Sequence, residues 1–282
     1  MFNSSHIGIS ISDEAINFVE LKKSGGEFEL GKFGEKRLPK GVIEDGVIKD
    51  PEEVIGILRL FREKKEIKSA LVALPEEEEN LFVDYLADYK DVFKNASVRV
   101  KSFEPEGIAI SRAVIKKGYN GTCMLLNIGR SHTDIFIVSN GMIALTSIIN
   151  VGGDTIIKIT KGEGMKKELG LNRSMIVAEV SSATVSGISI LREEISRHLM
   201  YWNTRKNDEG ERRATVEKII LSGCDASMKG LDEFLSVSFK IKVELADVWV
   251  NTPSIKENIP QMTFKESLSY APAFGMALRG FE

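Results

Sequence analysis

One order of elements occurs twice in this chain, and it narrows the fold more than any single motif does. Alternation through Ile7, Ile9 and Ile11, then Ile16, Phe18, Val19 and Leu21, then Phe28, Leu30 and Phe33 predicts three strands joined by tight turns. After a loop, Asp50-Pro51-Glu52-Glu53 supplies an N-cap, a proline at the first helical position and carboxylates at the positive helix end. Val54, Ile55, Leu58 and Phe61 recur at helical spacing, and a strand over 69–74, a helix over 81–93, a strand at 98–100 and a helix from Pro105 are predicted next. The order restarts with strands over 124–128, 134–138 and 143–149, the last two joined by an Asn140-Gly141 turn. Helices follow over about 153–169 and along the stripe Val185, Ile188, Ile195, Leu199 and Trp202. A strand at 218–221, a short helix at 231–235, a strand at 240–245 and a last helix over 266–277 complete the reading. Three strands, helix, strand, helix, twice over, predicts an α/β fold of two mixed five-stranded sheets flanked by helices, with a central cleft between domains at 1–120 and 121–282.

Composition excludes several function classes. With 43% apolar and 28% charged residues, the 282-residue chain reads as an ordinary globular protein. A net charge of −3 with no compensating basic block argues against nucleic acid as a partner. Cys123 and Cys224 lie in or beside apolar runs and are expected in the core, and His6, His132 and His198 have no ligand-like spacing. Residues Met1 to His6 lack a secretion-signal pattern and no apolar run nears the ~18 residues that span a bilayer, so direct membrane insertion is not expected and a cytoplasmic location is.

Two stretches carry a resemblance. Leu38-Pro39-Lys40-Gly41-Val42-Ile43-Glu44-Asp45-Gly46-Val47-Ile48-Lys49-Asp50-Pro51 is similar to the loop entering the first helix of the type IV pilus assembly protein PilM family, and Ala271-Pro272-Ala273-Phe274-Gly275-Met276-Ala277-Leu278-Arg279-Gly280 to its closing helix. Between them, Leu126-Asn127-Ile128-Gly129-Arg130-Ser131-His132-Thr133-Asp134 resembles the second phosphate loop, and Leu221-Ser222-Gly223-Cys224-Asp225-Ala226 the adenosine loop. The resemblance implies actin-like (ribonuclease H-like) duplicated domains within the actin, Hsp70 and sugar-kinase superfamily, with ATP and Mg as the cofactor candidates. It also implies a PilN-like partner on the inner-membrane platform of a pilus, recruitment to the inner face of that membrane by partners, and self-association. Most of the family's extra subdomain, which helps form the groove for the N-terminal peptide of PilN, is expected to be missing near 76–85, where Glu76-Glu77-Glu78-Glu79 and one helix stand.

Actin-like sites hold the triphosphate between two hairpin turns, whose backbone N–H groups approach the phosphates while an aspartate positions hydrated magnesium. The resemblance places Gly8, Ser10 and Asp13 at the first hairpin, and Asn127, Gly129, Ser131, Thr133 and Asp134 at the second. Gly152 and Gly153 precede the next helix, and Ser222 and Gly223 form the adenosine loop. The family pattern calls for Asp at Ser10, Gly at Ser12, small hydroxyl residues at Asp13 and Glu14, Lys at Asn17 and Asp at Asn127. Carboxylates at Asp13 and Glu14 would repel an anion, by ~1 kcal/mol for charges about 4 Å apart in bulk water and ~4 kcal/mol at an effective dielectric near 20. The escape from that penalty is for Asp13 to replace the metal-organising carboxylate lost at Ser10. Asn127 can accept a hydrogen bond from a metal-bound water but cannot act as a base, and Cys224 and Asp225 would crowd a flat base.

Structural readings stand beside these. Gly129 suits a turn that needs positive φ, Thr133 and Asp134 can simply start a strand, and Glu104 and Glu106 can serve as helix N-terminal charges. The run Glu76 to Glu79 reads as a solvated loop, and Leu199, Tyr201 and Trp202 as core. The altered loops predict a non-catalytic assembly protein with weak or no ATP hydrolysis, and no catalytic or metal-ligating residue is assigned. An active Mg-ATPase of the same fold and a filament-forming cytoskeletal protein are the alternatives.

Overall fold

The computed structural model describes residues 4–75, 82–156, 182–206, 210–257 and 261–282. They fall into two compact units, Met1–Lys117 with Asp247–Glu282, and Gly118–Ala246. The first unit opens with the meander β1 (Ser4–Ile11), β2 (Ala15–Ser24) and β3 (Glu27–Arg37), followed by a small hairpin of β4 (Ile43–Glu44) and β5 (Val47–Ile48). Then come α1 (Pro51–Lys65), β6 (Ser69–Leu74), α2 (Phe82–Asn95), β7 (Arg99–Pro105) and α3 (Glu106–Val114). The second unit holds β8 (Thr122–Ile128), β9 (Thr133–Ser139), β10 (Met142–Ile149), α4 (Ser182–Thr204), β11 (Lys218–Ser222), α5 (Leu231–Phe239) and β12 (Lys242–Leu245). The chain ends in the first unit with α6 (Pro253–Glu257), α7 (Phe264–Ser267) and, after a single 3-10 turn, α8 (Ala271–Arg279).

The two sheets share one topology, β3-β2-β1-β6-β7 and β10-β9-β8-β11-β12. In each, the first strand is antiparallel to the second and parallel to the fourth. The repeated order in the sequence is therefore a repeated fold. Asp50 caps α1 as its spacing predicts, its carboxylate accepting from the Glu53 N–H at 3.2 Å. In α4 the stripe is also as read, with Ile188, Leu191, Ile195, Leu199 and Trp202 buried. The helix expected over 153–169 is helical at 153–156, and its remainder, like Glu76 to Glu79, lies outside the described residues.

The division expected at 120/121 kept the closing segment with the second half, whereas Asp247–Glu282 belongs to the first compact unit. Its cause is a close crossing of backbones. A Cβ on Gly8 of β1 would stand 1.9 Å from the Ala273 carbonyl oxygen and 2.5 Å from the Ala277 nitrogen, so α8 lies directly on the strand. A Cβ on Gly275 of α8 would likewise stand 1.8 Å from the Ala109 carbonyl oxygen of α3. Ile9, Ile11, Ile16 and Phe18 form a core cluster with Val54 and Leu58 of α1 and with Tyr89 and Phe93 of α2. Alternation along the strands leaves Gly8, Ser10 and Asn17 on the α8 side. The last helix, expected as one piece over 266–277, is broken because Pro272 starts α8 afresh. Among the described residues no helix is long and apolar enough to cross a membrane.

Candidate functional site

The β1–β2 turn is closed on itself. The Ser12 hydroxyl accepts from the Glu14 and Ala15 N–H groups at 3.3 and 3.2 Å, and the Ser12 N–H donates to the Ala15 carbonyl at 3.0 Å. Backbone donors that glycine would leave open to a phosphate are thereby engaged. Asp13 turns to the small hairpin, where its Oδ2 accepts from the Asp45 N–H at 2.9 Å and its Oδ1 from the Gly46 N–H at 3.1 Å. Asp45 and Gly46 have φ of 49° and 75°, the two positive values of a tight turn of the kind Asp-Gly favours. Tyr89 completes the clamp by donating its hydroxyl to the Gly46 carbonyl at 2.8 Å. Ser10 and Asn17 are buried register partners, and Asn17 donates to the Ser269 carbonyl at 3.0 Å while its Oδ1 has no hydrogen-bond partner among the described residues. Gly8 is packed against α8 as described, so its missing side chain serves the crossing.

In the second unit the structure brings the remaining candidates together. Asn127 and Asp134 face each other across β8 and β9, with the Asn127 Nδ2 donating to Asp134 Oδ2 at 3.1 Å. Ser222, buried at the end of β11, donates to Asn127 Oδ1 at 3.4 Å, and His132 Nε2 stands 3.6 Å from Asp134 Oδ1. Thr133 is fully buried and donates to the Val151 carbonyl at 2.7 Å, while exposed Ser131 shares a hydrogen bond with His132 Nδ1 at 3.0 Å. Gly129 receives the Gly153 N–H on its carbonyl at 2.9 Å. Three close approaches then explain three glycines. A Cβ on Gly152 would meet the Arg130 carbonyl oxygen at 2.4 Å, one on Gly153 the Asp225 carboxylate at 2.0 Å, and one on Gly223, with φ of 97°, the Ile128 carbonyl oxygen at 2.4 Å.

The donor set of these loops does not suit a triphosphate with magnesium. At the first hairpin both Asp13 oxygens already accept from backbone N–H groups, so the carboxylate expected to stand in for the one absent at Ser10 is directed elsewhere. At the second, Asn127 supplies a donor to Asp134 where a metal-organising pair would need acceptors only. Beside Gly153, at the start of the helix there, lies the carboxylate of Asp225, where an anion would be repelled. No group of three or more His, Cys, Asp or Glu side chains among the described residues is arranged to hold a metal.

Three expectations change outside the loops. Cys123 is fully buried, and burial pushes its thiol up to about 11, but Cys224 is exposed rather than in the core because it sits on the loop after β11. Leu199 and Trp202 are core, whereas Tyr201 faces outward on α4. Glu104 is no helix-end charge: it is buried in β7, where Arg112 donates to both its oxygens at 2.8 and 3.2 Å and Arg279 of α8 pairs with it as well. Sequence reasoning missed the clamp of Asp13, Asp45, Gly46 and Tyr89, for which the Asp45-Gly46 dipeptide was the available signal.

Two mixed five-stranded sheets of one topology, flanked by helices, make this an actin-like protein. Solved structures agree on that fold: the PilM-PilN type IV pilus biogenesis complex superposes with a TM-score of 0.73 at 14% identity, over 98% of this chain and 98% of that one. The ethanolamine utilization protein EutJ of Carboxydothermus hydrogenoformans gives 0.68 at 17% identity over 98% and 89%, and the ADP-bound MreB5 of Spiroplasma citri 0.62 at 16% over 99% and 96%. The chain belongs to the type IV pilus assembly protein PilM family, whose sequence profile matches residues 8–79 and 86–281. No curated protein matches it by sequence.

Proposed function

We propose that this chain is a PilM-like assembly protein of a type IV pilus or a related secretion machine, acting as a scaffold without appreciable ATP turnover. The observation that carries the scaffold reading is the engagement of Asp13 by the Asp45 and Gly46 N–H groups, which diverts its carboxylate from organising magnesium at the first hairpin. Family membership supports the pilus role, and the likeness to a PilM in complex with PilN supports a PilN-like partner on the inner-membrane platform. In this reading the protein works on the cytoplasmic face of the membrane, held there by that partner. Loss of most of the extra subdomain near 76–85 would leave the partner's peptide a reduced groove.

The test is affinity capture of inner-membrane pilus components from the native host, with and without ATP. Equal capture in both conditions, together with lost piliation on deletion of the gene, is the expected result. Capture that requires ATP, or unchanged piliation, would overturn the reading.

A further inference from the structure

β7 is the last strand of the first sheet, paired on one side with β6, and its other edge carries no strand among the described residues. Beside it lies a groove of about 450 Å³ between the strand and α2. Every residue from Val98 to Phe103 lines it in succession. Side chains of a strand alternate between faces, so an unbroken run of lining residues marks a groove along the strand's edge rather than over one face. The Arg99 N–H donates inward to the Lys68 carbonyl at 3.0 Å, which by alternation turns the backbone groups of Val100 outward. Lys101 is the extra residue of a bulge, since Val100 pairs with Ala70 and Ser102 with Leu71.

The chemistry of the lining is one-sided. Phe93, Val98, Val100 and Phe103 supply an apolar floor, with Phe93 and Phe103 in edge-to-face contact at 5.9 Å between ring centroids. Exposed Lys90, Lys94, Arg99 and Lys101 form the rim, and no carboxylate lines the groove. None of Lys90, Lys94 and Arg99 has an ion-pair partner among the described residues, and Lys101 reaches only the His6 Nδ1 at 3.3 Å. The basic rim is set against a chain whose net charge is −3, so it is a local concentration rather than a reflection of composition.

We infer that this edge takes an extended acidic segment of a partner protein, added to the sheet as a sixth strand beside β7. Main-chain hydrogen bonds would supply affinity, apolar side chains facing α2 would enter the floor between Lys90 and Lys94, and carboxylates facing the other way would meet Arg99 and Lys101. The inference rests on the first unit alone and stands whether or not the nucleotide loops are silent.

The probe is a fluorescent, end-blocked Glu-Val-Glu-Val-Glu-Val peptide, followed by anisotropy with the full-length protein at low salt. Saturable binding is expected, weakened about tenfold or more by replacing the glutamates with glutamine, or by the double variant Lys94→Glu with Arg99→Glu. A peptide N-methylated at alternate residues keeps its charge but cannot pair as a strand, and should also lose about tenfold or more. Both substituted residues are exposed, and an unchanged melting temperature separates lost binding from lost folding. Absence of saturable binding would overturn the inference and leave the cations as guards against edge-to-edge aggregation. Equal binding of the N-methylated peptide, or binding of phosphatidylglycerol vesicles with no competition from the peptide, would overturn it too.

Discussion

The side-chain amide of Asn127 donates to the Asp134 carboxylate at 3.1 Å across β8 and β9. An aspartate at 127 would put two carboxylates in that register position, an arrangement that needs a cation between them or a proton on one of them. Asparagine makes the pair self-sufficient. Asn127→Asp is therefore expected to destabilise the protein by about 2 to 4 kcal/mol in EDTA, with part of the loss restored by millimolar Mg2+. Thermal melts in the two buffers check this, and a variant as stable as its parent in EDTA would count against the account.

Two glycines should respond to alanine with opposite signs. Gly8→Ala drives a methyl into the Ala273 and Ala277 backbone and is expected to cost about 3 kcal/mol or more. Gly56 lies within α1, and a methyl added there would meet nothing within 4 Å, so Gly56→Ala should stabilise by about 0.5 to 1 kcal/mol. Urea melts of both variants decide whether α8 rests on β1 as described.

Much of this fold could be read from the sequence because its signals are local. Asp50-Pro51-Glu52-Glu53 marks the start of α1 within four residues, and the repeated alternation of apolar positions marks both meanders. What could not be read depends on contacts distant in sequence. Asp13 looks like a phosphate-site residue until Asp45 and Gly46, more than thirty positions on, supply its partners. Gly8 matches a nucleotide-loop glycine in the sequence, yet it is the crossing of α8 that requires it, and nothing local reveals that the chain's last helix returns to its first strand. The same holds for Gly153, whose space is taken by Asp225. In each case the residue type is right for two roles, and only the partner distinguishes them.

Glu104 joins β7 to α3 and α8 through Arg112 and Arg279. Removing the buried carboxylate leaves, among the described residues, Arg279 without a counter-charge and Arg112 with exposed Glu282 alone, at 3.2 Å, so Glu104→Ala is expected to cost about 3 to 5 kcal/mol. Chemical denaturation measures it. A loss well under about 1 kcal/mol would mean that Glu282 and solvent already satisfy the two arginines.

The two cysteines should label at very different rates. Cys224 is exposed and should react with a thiol reagent in the native state, whereas Cys123 should react only on unfolding. Because the folded state raises the Cys123 thiol to about 11 from the usual 9, its contribution to stability is full below pH 9 and is lost as pH rises towards 11. Cys123→Ser should flatten that alkaline limb of the stability profile. Rapid native labelling of both thiols would contradict the buried placement of Cys123.

Calorimetric titration of Mg-ATP into the full-length protein tests the central claim most directly. With Asp13 held by the Asp45 and Gly46 N–H groups and Asn127 paired to Asp134, no binding heat is expected up to millimolar ATP. Micromolar binding would contradict the account and return the loops to a nucleotide role.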